Sequence, residues 1–106
     1  MNIHLHIICS RKSKMRITSL LSGIALVESE YWKDSACLEL RAHFPVQKIS
    51  GEWLMELLQK ISGMSQIQIN RQLSGTEYVC YATMEEIKND GKAFVVCFVD
   101  MKENEL

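Results

Sequence analysis

The sequence predicts an α+β domain of two layers, a mostly antiparallel sheet of five to six strands with one or two helices packed on one face. Three observations carry this. Apolar residues alternate with polar ones at period two in several segments separated by turn residues. One segment instead repeats its apolar residues at helical spacing between a capping serine and a glycine. The 106 residues contain a single proline, with 47% apolar and 24% charged side chains, the composition of one folded domain spanning 1–106.

Taken in order, Ile3, Leu5 and Ile7 alternate with His4, His6 and Ile8, so a strand with one buried face runs from about Ile3 to Cys9. The basic stretch Ser10 to Arg16 follows. Ile17, Leu20, Leu21 and Ile24 then fill one helical stripe, with Ser13 as its cap and Gly23 at its end. Thr18, Ser19 and Ser22 are poor helix formers, which keeps a strand open as the alternative for Ser13 to Ser22. From Ile24 to Phe44 two strands joined at Lys33, Asp34 and Ser35 read as a hairpin. In the second of these strands Cys37, Glu39, Arg41 and His43 share the face opposite Leu38, Leu40, Ala42 and Phe44. Pro45 ends the ladder because it has no N–H to donate.

The clearest helix has Ser50 as N-cap, Gly63 past its end and Leu54, Leu57, Leu58 and Ile61 on one stripe. Ile49 and Leu54 are placed to form a hydrophobic staple across its start. Gln66 to Leu73 is a further strand, turning at Ser74, Gly75 and Thr76. Glu77 to about Met84 and Ala93 to Met101 read as a final hairpin across Asn89, Asp90 and Gly91. The competing reading is one helical turn begun by a capping box of Thr83 and Glu86 and ended by Gly91. The first six elements have a ferredoxin-like order, to which a C-terminal hairpin is added.

No eighteen-residue apolar run is present, and the basic cluster follows the first apolar stretch instead of preceding it, the reverse of a secretory signal. The expectation is a soluble, cytoplasmic protein. Cys9, Cys37, Cys80 and Cys97 each lie in an apolar or alternating segment and none forms CxxC, so reduced, structural thiols are expected. No GxSxG, HExxH, GxGxxG or phosphate-loop signature occurs. His4 and His6, about 7 Å apart along a strand, supply two metal ligands at most, to which His43, Cys37 and Glu39 would have to be added.

The net charge of -1 conceals an asymmetry. Residues 1–48 carry seven basic and four acidic side chains, +3, and residues 49–106 carry five and nine, -4. Glu77, Glu85, Glu86, Asp90 and Asp100, with Glu103 and Glu105, gather around the last strands and suggest an acidic face that would steer a basic partner. Tyr31 and Trp32, beside the first hairpin turn, are candidate interface anchors.

The leading expectation is therefore a non-enzymatic protein-binding module of the class of small bacterial immunity or antitoxin-like inhibitors. Its partner would be a basic toxin domain such as a nuclease, with no cofactor and no metal. The alternative is a small metal- or thiol-dependent enzyme or ligand-binding domain, built as a dimer. Nucleic-acid binding through Arg11, Lys12, Lys14 and Arg16 ranks third, because no aromatic residues interleave with them in sequence. A homodimer is compatible with all three.

Overall fold

The computed structural model describes residues 2–34, 36–45 and 49–100. Along the chain run β1 (Asn2–Ser10), a short 3-10 turn (Arg11–Ser13), α1 (Lys14–Leu21), β2 (Leu26–Trp32) and β3 (Cys37–Phe44). Then come α2 (Gly51–Ser62), β4 (Gln68–Gln72), β5 (Gly75–Cys80), α3 (Met84–Asp90) and β6 (Phe94–Asp100). The strands form one open, wholly antiparallel sheet in the order β2-β3-β1-β6-β5-β4. This is the two-layer α+β arrangement that the alternating patterns predict.

Local signals explain most elements. In β1 the odd-numbered Ile3, Leu5, Ile7 and Cys9 are buried while His4, His6 and Ile8 are not, as period-two alternation requires. Ser13 to Ser22 is helical over most of its length and not a strand. Its entry is made one step earlier than Ser13: the Ser10 hydroxyl accepts from the Ser13 N–H, and the 3-10 turn leads into α1. Asp34 Oδ1 accepts from the N–H groups of Ala36 and Cys37 at 2.7 and 2.8 Å, an Asx turn that reverses the chain between β2 and β3. In α2 the Ser50 hydroxyl accepts from Trp53 N–H, and Gly63 closes the helix at φ 73°, the left-handed conformation that glycine adopts without penalty.

One expectation is corrected. The segment between β5 and β6 is not a hairpin turn: Thr83 and Glu86 make both hydrogen bonds of a capping box and start α3, which Gly91 ends. The reciprocal caps satisfy two otherwise orphaned N–H groups, so seven residues of helix outcompete an extended strand. The true two-residue hairpin lies between β4 and β5. It closes at Gln72 and Gly75, and a Cβ on Gly75 would sit 2.1 Å from the carbonyl oxygen of Val99.

The first six elements follow the expected order along the chain, and the sheet order, which that order leaves open, places β6, not β4, beside β1. Beyond the four-stranded unit β6-β1-β3-β2, β5 and β4 extend the sheet on the far side of β6. The near-continuous apolar run of β6 fits this central position between β1 and β5. The expected end of that strand at Met101, the turn residue Ser35, and Glu103 and Glu105 lie outside the described residues.

The core sits between the sheet and two helices. Ile3, Leu5, Ile7 and Cys9 of β1, Leu38, Leu40, Ala42 and Phe44 of β3, and Val95, Cys97 and Val99 of β6 pack against Ile17 and Leu21 of α1 and Leu54, Leu57, Leu58 and Ile61 of α2. Arg16 ties these layers together. Its guanidinium donates to the carbonyls of Lys60 (2.7 Å), Ile61 (3.2 Å) and Gly91 (2.9 Å), a cation placed at two helix C-termini. The third helix, α3, stands across the end of the sheet, touching β1, with Ile87 buried beneath it.

Candidate functional site

Strand alternation puts a second set of side chains on the face of the sheet that α1 and α2 do not cover. From β6 come Phe94, Val96 and Phe98, all half-buried, and beside them stand Ile8 of β1 and Val79 of β5. On the β1 and β3 side the register sets His4 opposite His43, His6 opposite Arg41 and Ile8 opposite Glu39. The result is an apolar row flanked by a charged one. A shallow depression of about 350 Å³ lies between the two, lined by His4, His6, Glu28, Arg41, Val96 and Phe98 among others.

Glu39 organises the charged row. It is only 3% exposed although it points away from the helices, because cationic side chains and a histidine fold over it. Lys33 Nζ and Arg41 Nη2 each lie 3.4 Å from its carboxylate, and His6 Nε2 lies 2.8 Å away. His6 approaches the other carboxylate oxygen, Oε2, and His6 Nε2 and Glu39 Oε1 are buried with no hydrogen-bond partner among the described residues. Next to it the His4 and His43 rings stack with centroids 6.0 Å apart, and His43 Nδ1 lies 3.1 Å from Glu28. The three histidines are thus drawn to different neighbours. Among the described residues no three His, Cys, Asp or Glu side chains converge as a metal site would need.

Three of the thiols, Cys9, Cys80 and Cys97, face the other way, into the core. All four cysteines are free and buried. Burial pushes the Cys9 thiol up to about 11, against a smaller lowering by Arg16, and the Cys97 thiol up to about 12, with Cys80 adding to the rise. Cys80 is also raised by burial. A nucleophilic thiolate needs the opposite shift.

The structure distributes the acidic residues over two places. Glu77 and Asp100 are on the uncovered face, near the Gly75 end of β5, and Asn70 donates to Glu77 at 3.1 Å. Glu85, Glu86 and Asp90 are on α3, at the opposite end of β6, about 20 Å away at the usual strand rise. Glu86 is engaged in the capping box, and its carboxyl is held below the usual range chiefly by the Thr83 N–H. Lys92 pairs with it at 3.4 Å.

The basic front and acidic back of the sequence do not become separate regions in space. Ser13 and Arg16 both bond the carbonyl of Gly91, which brings the basic turn up against α3.

Tyr31 and Trp32 are on the edge strand β2 and point to opposite faces. Tyr31 is opposite Glu39 on the uncovered face, with the Arg41 guanidinium 6.0 Å from its ring centre. Trp32 is on the helix side, with Arg11 at 4.7 Å and Lys14 at 5.7 Å from its ring. Sequence spacing missed this pairing of the basic turn with an aromatic ring, because the two are joined only through the hairpin. It also missed Glu39 as the centre of the charged row; the signal available was a carboxylate two residues from Arg41 on the same face of the strand. Searches of family models, of curated proteins and of solved structures each return no match to this chain.

Proposed function

We propose that this chain is a non-enzymatic protein-binding module that docks through the uncovered face of its sheet. The observation that carries the reading is the make-up of that face: the half-buried row Phe94, Val96 and Phe98, with Glu77 and Asp100 at one end and Tyr31 beyond the charged row. An apolar centre rimmed by polar groups is how protein interfaces are built, and the aromatic residues are natural anchors. In concrete form the reading is a small bacterial immunity or antitoxin-like inhibitor, acting in the cytoplasm on a basic toxin domain. Glu77, Asp100 and Glu28 would supply the opposite charge to its partner. Glu85, Glu86 and Asp90 would extend the contact past the end of the sheet.

The test is titration calorimetry of the purified chain against the product of the adjacent gene. The expected result is a complex at micromolar concentration that Phe98→Asp or Tyr31→Ala weakens while the isolated variants still fold. Absence of a complex, together with failure of the chain to protect cells producing that protein, would end the reading.

A further inference from the structure

We infer that β4 is the contact through which two copies of this chain join edge to edge into one continuous twelve-stranded sheet. The inference is independent of the partner proposed above, since it concerns an edge and not a face.

The hairpin fixes which backbone groups of β4 are free. Gln72 and Gly75 close a two-residue turn, so they must exchange hydrogen bonds; Leu73 and Ser74, being adjacent, cannot do so for them. Partner positions alternate between bonded and non-bonded along an antiparallel ladder. Gln68, Asn70 and Gln72 therefore spend their backbone groups on β5, and Ile69 and Arg71 direct their N–H and C=O outward. Such an edge is a template for another strand.

A second copy fits that template in one register. A two-fold axis through Asn70 sets Ile69 opposite the partner's Arg71 and Arg71 opposite the partner's Ile69, and these are the residues with outward N–H and C=O groups. Because a perpendicular two-fold keeps the same face up in both copies, these odd-numbered residues all meet on the helix side. There a groove of about 430 Å³ runs between β4 and α2, lined by Glu52, Met55, Glu56, Ile69, Arg71 and Tyr78. Glu52, Glu56 and Arg71 have no ion-pair partner among the described residues. Pairing the edges delivers the partner's Arg71 beside Ile69, toward both carboxylates, and the exchange is reciprocal.

The opposite edge does not offer this. β2 is bulged between Val27 and Ser29, and self-pairing about Ser29 would set Glu28 opposite the partner's Glu30. One edge is thus guarded and the other is self-complementary. Because the contact is the same patch on both copies, the assembly closes as a dimer.

Sedimentation velocity across a concentration series tests this on the intact chain. The wild-type chain is expected to reach twice its monomer mass. Ile69→Pro and Arg71→Pro remove an outward N–H that β5 does not use, and each is expected to weaken the dimer at least about tenfold while circular dichroism and the melting temperature are kept. Arg71→Glu, which leaves the backbone intact, is expected to weaken it similarly by facing the partner's Glu52 and Glu56. A wild-type chain that stays monomeric up to near-millimolar concentration, one that forms open-ended oligomers, or a dimer indifferent to all three variants would overturn the inference.

Discussion

The two sides of β1 share one backbone and solve different problems. Toward the helices, Ile3, Leu5, Ile7 and Cys9 are at most 2% exposed and belong to the apolar core. Toward the uncovered side, His4, His6 and Ile8 stay partly accessible beside a buried carboxylate that three neighbours screen. The covered side derives its stability from area removed from water. The uncovered side keeps polar groups in a fixed arrangement at a modest stability cost, which is the condition for recognising something else.

The largest test of this contrast is cavity formation. Leu58→Ala on the covered side is expected to cost about 2–5 kcal/mol in denaturant unfolding, whereas Val96→Ala on the other side should cost about 1 kcal/mol or less. Equal losses would erase the distinction.

Alkaline unfolding probes the covered side alone. Cys9 and Cys97 are raised to about 11 and about 12 from an ordinary 9.0, so the folded chain holds protons that the unfolded chain releases. Their contribution is complete below pH 9 and is lost as pH rises from there toward the folded values. Each thiol removes about 1.4 kcal/mol per pH unit in that window. Cys97→Ala should flatten the loss by one thiol's share, as read from urea midpoints between pH 8 and 10.5.

On the uncovered side, Glu39→Ala should cost about 2 kcal/mol, because Lys33 and Arg41 lose their shared counter-charge. Glu39→Leu, which refills the space, should recover part of that loss. The smallest effect belongs to neither face: Thr83→Ala removes the α3 cap and should cost about 1 kcal/mol, seen as faster amide exchange in Glu85 to Ile87.

What could be read from the sequence was local. The alternation of Ile3 to Ile7, the helix between Ser50 and Gly63, and the in-and-out pattern of Cys37 to Phe44 all reflect physics confined to neighbouring residues. Thr83 and Glu86 carry a legible cap, but the segments flanking Asn89 to Gly91 are also long enough for strands, so the local pattern fits a hairpin as well. The position of β6 beside β1 was not legible, because a hydrophobic strand of either kind satisfies the same pattern, and only long-range pairing decides between them. For the same reason the acidic residues read as one group, although the sheet separates Glu77 and Asp100 from α3. Neither could the sequence place Arg11 over Trp32, which depends on where the β2–β3 hairpin returns.

The adjacency of β1 and β6 also bears on how the chain reaches this structure. The two innermost strands of the sheet are the first and the last to be described along the sequence, so their pairing must close a loop containing every other element. The entropy of that closure is met late, after β2 with β3 and β4 with β5 have formed their local hairpins. During synthesis the central ladder therefore stays open until β6 has emerged, and both the covered and the uncovered face of the sheet are completed in the same final step.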